Sequence, residues 1–149
     1  MDEMEFQLGS ISSGTLRNQD LIPAMYSTLK QLGELNRLPT WDTFKYAEYY
    51  DEKSVYWTSE GAMEDFDMLV DALQECCPAY VYFGSHEGDG ADFGFWPDVD
   101  RLNADIADSE YRNGDDILLL EEMVLVTVND HGNVTVKDIW THETLWSCV

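Results

Sequence analysis

The residues best suited to chemistry in this sequence lie within residues 85–92. One imidazole and three carboxylates fall in this stretch: His86, Glu87, Asp89 and Asp92. Such a set could bind a divalent cation, but the spacing does not match an EF-hand loop, which needs oxygen donors at alternate positions and a distal glutamate. The same residues suit a hairpin turn, in which glycine supplies positive φ and the acidic side chains are solvated. We predict a turn. A metal-dependent enzyme at residues 86–92 is the second of two alternative hypotheses about the function of the protein.

No other catalytic arrangement is recognisable. The sequence has neither a Gly-x-Ser-x-Gly elbow nor a Walker A loop. Cys76 and Cys77 fall at the end of a predicted helix, where the usual role of a cysteine is packing. His131 and His142 fall in polar segments typical of a surface. We therefore predict a protein that is not an enzyme, with no catalytic residue, no metal and no cofactor.

A row of acidic residues at helical spacing is the most informative local pattern. Its members are Glu60, Glu64, Asp67, Asp71 and Glu75. Steps of three and four residues place successive carboxylates about 4.5–6 Å apart along a helix axis, comparable with the phosphate spacing of a nucleic-acid strand. Like charges at these spacings destabilise a helix by a few tenths of a kcal/mol per pair. The row therefore favours a role other than helix stability, and a merely solvated helix face is the alternative.

Charge limits the partners more than any other feature. Eight Lys and Arg against thirty Asp and Glu give a formal net charge of -22. Nucleic acids and anionic membranes both present phosphates, so direct binding to either is disfavoured. A basic partner is favoured by steering and by complementarity. Proteins that are acidic only for solubility, or adapted to high salt, carry similar charge, and both explanations stay open.

Length and composition predict one domain over residues 1–149. Hydrophobic residues make up 44% of the chain, enough to bury a core. The acidic start lacks the basic region of a secretory signal, and no apolar run approaches the ~20 residues of a membrane helix. Three cysteines, two of them adjacent, do not form a disulfide framework. We predict a cytoplasmic protein.

Helices are predicted in the N-terminal half. Hydrophobic periodicity predicts a first helix over 18–31, ended by Gly33, and a clearer one from Thr58 or Ser59 to about Cys76. The second helix carries the acidic row. Its predicted buried stripe is Ala62, Met63, Phe66, Leu69, Val70 and Leu73. Between the two lies an aromatic, acidic segment over 41–57, with a short helix over 42–50.

Strands dominate the C-terminal half. Four segments pair as two hairpins: 79–84 with 92–96, and 123–128 with 134–140. A short helix contains Val99, Leu102 and Ile106, and the polar stretches 9–14 and 112–116 are predicted as loops. Helices first and hairpins later predict an α+β fold, with two to three N-terminal helices packed on an antiparallel sheet made of the two C-terminal hairpins.

Three sequence segments resemble segments of small, acidic, uncharacterised proteins encoded by phages and plasmids: Gly14–Ala24, Tyr82–Gly90 and Val128–Thr135. They are spread over most of the chain, and none is a catalytic signature. The resemblance therefore carries over no functional residue and implies only an origin on a mobile element. Small acidic proteins of that origin often inhibit host defence enzymes by occupying their nucleic-acid-binding surfaces, an analogy with a class of proteins.

These observations predict an anti-defence inhibitor, such as an anti-CRISPR protein, that mimics nucleic acid. It would block the basic nucleic-acid-binding surface of a host nuclease or of a CRISPR or restriction-type complex. The predicted contact residues are the five carboxylates of the row, with Trp41 and Tyr49 as aromatic anchors. A homodimer built on aromatic surface is a further expectation. The first alternative is an acidic interaction or scaffold protein that uses its aromatic segment 41–57.

Mimicry also requires crowding of charge, because the average charge density of the chain is far below that of duplex DNA. The carboxylates would have to gather on one or two faces. Seven further residues would then join the row: Asp98, Asp100, Asp105, Asp108, Glu110, Asp115 and Asp116.

Overall fold

A computed structural model describes residues 5–38 and 53–148 of the chain. The chain forms two compact units. The helical unit consists of Gly9–Cys77 and Phe83–Phe95, and the sheet unit consists of Met1–Leu8, Pro78–Tyr82 and Trp96–Val149. The assignment of the whole chain to one domain stays a prediction. No helix in the described ranges is long and apolar enough to cross a bilayer.

Helix α1 spans Asn18–Gln31, as its periodicity predicts. Leu21, Ile22, Met25 and Leu29 form its buried stripe. Gly33 follows with φ +74°, a left-handed conformation that suits glycine and ends the helix. A short 3₁₀ turn, Leu35–Arg37, comes next.

Helix α2 spans Glu60–Glu75 and packs against α1. A 3₁₀ turn over Val55–Thr58 precedes it, and Ser59 caps it because its Oγ accepts a hydrogen bond from the Ala62 N–H at 3.2 Å. The buried residues of α2 are Ala62, Asp65, Leu69, Ala72 and Leu73. The prediction of Met63 in this stripe is wrong, since its side chain is 64% exposed. Met63 lies one residue beyond Ala62, which rotates it about 100° around the axis and out of the packed face.

The first sheet has three antiparallel strands in the order β1-β3-β2. They are β1 (Gly9–Ser12), β2 (Val81–His86) and β3 (Asp89–Pro97). The first predicted hairpin is therefore confirmed, with β2 shifted by two residues, a longer β3 and a tighter turn at Glu87 and Gly88. β1 lies in a segment predicted as loop, and it pairs with β3 so that Ser10 faces Gly94.

The sheet unit contains helix α3 (Val99–Asp108), which Asp98 caps by accepting a hydrogen bond from the Arg101 N–H. Five antiparallel strands follow, paired in chain order. They are β4 (Arg112–Asn113), β5 (Asp116–Leu119), β6 (Val124–Val128), β7 (Val134–Asp138) and β8 (Thr144–Cys148). Four fully buried side chains form the core of this sheet: Val124, Val126, Val136 and Trp146.

The α+β class is confirmed, and so are the short helix and the second hairpin. The two predicted hairpins do not form one sheet, because the first belongs to the three-stranded sheet and the second to the five-stranded sheet. The predicted loop over 112–116 is a tight hairpin between β4 and β5, turning at Gly114 with φ +66°. The predicted helix over 42–50 lies outside the described residues.

Candidate functional site

The five carboxylates of the acidic row lie along the exposed face of α2. All five side chains are exposed: Glu60, Glu64, Asp67, Asp71 and Glu75. The helix contains no Lys or Arg. At 1.5 Å per residue, the row is about 22 Å long, with a carboxylate every 5–6 Å on average. The row thus lies opposite the buried residues of α2, and its role in binding a partner stays a prediction.

Packing of the opposite face fixes the direction in which the row points. Phe66 of α2 meets Phe93 of β3 edge to face, with ring centroids 6.1 Å apart. Gln74 accepts a hydrogen bond through Oε1 from the Phe83 N–H of β2 at 3.0 Å. Leu69, about one turn from Phe66 on the packed side of the helix, is fully buried, so α2 cannot rotate about its axis without exposing its core. Gln74 is itself exposed and lies beside the acidic row, so its hydrogen bond ties that edge of the helix to β2.

A sixth acidic residue of α2 points inward. Asp65 is only 3% exposed, and its Oδ2 accepts a hydrogen bond from the Tyr56 hydroxyl at 2.5 Å. The bond joins α2 to the 3₁₀ turn that precedes it. Asp65 adds nothing to the exposed charge, and we infer that it holds the start of α2 in place. Sequence reasoning did not single out Asp65, because the hydroxyl that makes its burial tolerable lies nine residues away.

The ends of α2 differ in their electrostatics. Glu60 lies in the first turn, where the helix dipole favours a negative charge. Glu75 lies in the last turn, where the dipole disfavours it. Arg37 compensates, with its Nη1 3.5 Å from Glu75 Oε2. Within the described ranges, the four other carboxylates of the row have no ion-pair partner.

The predicted aromatic anchors, Trp41 and Tyr49, lie outside the described residues. Of the segment 41–57, the structure describes only the end. There Trp57 is buried at 3% exposure, and its carbonyl accepts a hydrogen bond from Asn18 Nδ2 at 2.8 Å. Trp57 is therefore part of the core rather than a contact surface, whereas Val55 in the same part of the segment is exposed.

The seven acidic residues expected to extend the row all belong to the sheet unit, whereas α2 belongs to the helical unit. Three of them have structural partners. Asp98 caps α3, Asp105 accepts from the Tyr80 hydroxyl at 2.6 Å, and Asp116 accepts from the Thr127 hydroxyl at 2.7 Å. The remaining four are exposed: Asp100, Asp108, Glu110 and Asp115.

Residues 85–92 form strand ends and a turn. His86 Nδ1 accepts from the Gly88 N–H at 2.9 Å, and Asp89 Oδ1 accepts from the Ala91 N–H at 3.1 Å. Both contacts stabilise the turn between β2 and β3. Across residues 5–38 and 53–148, no three His, Cys, Asp or Glu side chains are arranged to hold a metal ion. The metal-site alternative therefore has no geometric support in this part of the chain.

The cysteines are free thiols, and the two at the end of α2 are partly buried. Cys77 donates its S–H to the Leu73 carbonyl at 3.4 Å, and burial raises the pKa of Cys77 from 9.0 to about 12. A nucleophile needs the opposite shift, because the thiolate is the reactive form. The geometry agrees with a packing role.

We expect Cys77 to react with iodoacetamide at pH 8 about 30-fold more slowly in the folded protein than in urea. Raising the pKa by about three units lowers the thiolate fraction roughly a thousandfold, and the greater nucleophilicity of a basic thiolate recovers part of that loss. The measurement is the alkylation rate by mass spectrometry in the variant Cys76→Ser/Cys148→Ser. Equal rates with and without urea would contradict the buried, protonated thiol.

Comparison of the chain with protein-family models, with curated proteins and with solved structures found no match.

Proposed function

We propose that this protein is a non-enzymatic, cytoplasmic inhibitor encoded by a phage or another mobile element. The exposed face of α2 occupies the basic nucleic-acid-binding surface of a host nuclease or of a CRISPR or restriction-type complex. Glu60, Glu64, Asp67 and Asp71 contact cationic side chains that otherwise bind phosphates. The protein itself binds neither nucleic acid nor membrane, because its charge repels both.

The observation that carries the proposal is the unbroken row of exposed carboxylates on a helix without a basic residue. Solvated helix faces commonly alternate acidic and basic residues, which stabilise the helix by ion pairs at steps of three or four. Here the face has only one sign of charge, and among residues 5–38 and 53–148 only Glu75 of the row has an ion-pair partner. Repulsion between these like charges lowers the stability of the helix, but the same charges form a surface that suits a cationic partner.

Charge density supports contact with one strand rather than imitation of a whole duplex. One strand of DNA places a phosphate every ~3.4 Å of axis. The row places a carboxylate every 5–6 Å or so, which is about two thirds of that density. We infer that α2 lies in a groove that accepts a single strand or one edge of a duplex.

The test is the reversal of three charges at the middle of the row, Glu64→Lys/Asp67→Lys/Asp71→Lys. We expect this variant to compete with DNA for its target about 30-fold more weakly than the original protein, at about 0.7 kcal/mol for each reversed charge. The target is first captured from bacterial lysate on the immobilised protein and released with a salt gradient. Competition is then measured as displacement of a fluorescent oligonucleotide from the purified target.

A matched control carries the same change in net charge at residues outside both the row and its expected extension: Glu87→Lys/Asp130→Lys/Glu143→Lys. These residues are exposed and lie in or beside turns. The control should inhibit as well as the original protein, and inhibition should weaken steeply as salt rises. Equal losses in the two variants would show that net charge matters and the row does not. Full inhibition by the α2 variant would overturn the proposal and favour a scaffold protein that binds through the segment 41–57.

A further inference from the structure

The sheet unit contains a cavity of about 380 Å³ that the sequence gives no sign of. Four parts of the chain line it: Tyr80 just before β2, the end of α3, the connection over 109–111, and β5 with the turn that follows it. Leu118, Leu119 and Leu120 supply an apolar wall, and Tyr80 and Tyr111 contribute two rings. Since residues 78–82 and 96–149 form one unit, every lining residue belongs to it.

The charged groups that line the cavity are all acidic and so favour a cation. Four carboxylates line it: Asp105, Asp108, Glu110 and Glu121. None of its lining residues is Lys, Arg or His. Asp108, Glu110 and Glu121 are exposed and have no ion pair within the described parts of the chain. The cavity is thus open to solvent at a rim of negative charge.

The wall of the cavity is held by a buried contact. Tyr80 is 2% exposed, and its hydroxyl donates to Asp105 Oδ2 at 2.6 Å. Burial, followed by the contact with Asp105, raises the pKa of Tyr80, so its hydroxyl stays a neutral donor. Arg101 lies over the same ring, 5.0 Å from its centroid, and pairs with Glu122. The unit therefore already holds one guanidinium between a tyrosine face and a carboxylate.

We infer that this cavity binds an arginine side chain of a partner protein. A guanidinium is flat, forms two parallel hydrogen bonds to a carboxylate and stacks on an aromatic ring, so it matches carboxylates placed beside the exposed ring of Tyr111. Its methylene chain suits the leucine wall. The volume lies at the lower end of the range for ligand pockets, which fits one long side chain. Leu120 and Tyr111, both exposed at the rim, contact the residues that flank the arginine.

The occupant is a side chain and not a metal ion, because no three of the carboxylates come together closely enough to share one ion. The inference does not rest on the nucleic-acid mimicry proposed for α2, since α2 belongs to the other unit.

The experiment is a titration of the full-length, ¹⁵N-labelled protein with the peptide Ac-Leu-Arg-Leu-NH₂, followed by amide chemical shifts. We expect the shifts to concentrate in residues 105–121. The variant Asp108→Asn/Glu121→Gln should bind about tenfold more weakly, as loss of two carboxylate contacts of about 0.7 kcal/mol each implies. Asp105 is left intact because it holds Tyr80.

Two controls make the result specific. The variant Asp115→Asn/Asp130→Asn removes the same charge at exposed turn positions and should bind the peptide within about twofold of the original. The peptide with citrulline in place of arginine keeps the shape, lacks the charge, and should not bind. Equal binding of the citrulline peptide, equal weakening in both variants, shifts centred on α2, or no shift at millimolar peptide would each overturn the inference.

Discussion

Replacing Trp146 by alanine is expected to lower the free energy of unfolding by about 4 kcal/mol. The ring is completely buried, and its Nε1–H donates to the Ala79 carbonyl at 2.7 Å. Its removal leaves a cavity beside Val136, which pairs with it across the sheet, and takes the hydrogen-bond donor away from the partly buried Ala79 carbonyl. Small domains are stable by about 5–15 kcal/mol, so the loss is a large part of the total. The measurement is urea unfolding followed by far-ultraviolet circular dichroism.

Trp140 is the matched control, because it is the same residue type in the adjacent turn and is 76% exposed. Trp140→Ala should change stability by no more than about 0.5 kcal/mol. If Trp146→Ala does not fold in water, Trp146→Phe keeps most of the ring, loses the hydrogen bond, and should cost about 2 kcal/mol. Similar losses at the two tryptophans would show that Trp146 does not belong to the core.

Strand β8, which carries Trp146, is not predictable from the sequence for a physical reason. Leu145 and Trp146 are adjacent, so the segment lacks the alternation that marks a half-buried strand. The strand is five residues long and is specified by its partner, since Val136 and Trp146 share a register position. The residues that specify strand β8 therefore lie in β7 and in the turn between the two strands, and not in β8 itself.

Helices α1 and α2 are predictable because each contains its own signals. Their apolar residues recur at helical spacing, Gly33 ends α1, and Ser59 begins α2. These signals are local, so they specify the helices without information about long-range contacts. The division of the strands into two sheets needs long-range pairing, which periodicity does not encode.

The candidate site likewise has features that are predictable from the sequence and features that are not. Exposure of the acidic row follows from its spacing, because carboxylates at steps of three and four must share a helix face opposite the apolar stripe. The inward turn of Asp65 depends on Tyr56, and the cavity of the sheet unit depends on α3 meeting β5. Neither relation leaves a pattern in the sequence. The placement of charged side chains is therefore predictable from the sequence within one helix, but not where two elements meet.

Strand β1 shows how a single glycine decides a pairing. Residues 9–14 are rich in serine and glycine and favour a loop, yet Gly9–Ser12 pairs with β3. The close approach occurs at Gly94, which is buried and faces Ser10. A Cβ at Gly94 would overlap the carbonyl oxygen of Gly9 and lie 2.8 Å from the Cα of Ser10. Both atoms belong to the backbone, so they cannot move aside without moving the strand.

Gly94→Ala should therefore separate β1 from β3 and lower the free energy of unfolding by about 3 kcal/mol, at the upper end for overpacking. Gly90 lies in the same strand with nothing within 4 Å of an added Cβ, so Gly90→Ala should change stability by no more than about 0.5 kcal/mol. Hydrogen exchange should show the Gly94 variant losing protection in β1 first, because this is the strand that the new methyl group displaces. Equal stability of the two variants would show that β1 does not approach Gly94 as closely as the structure has it.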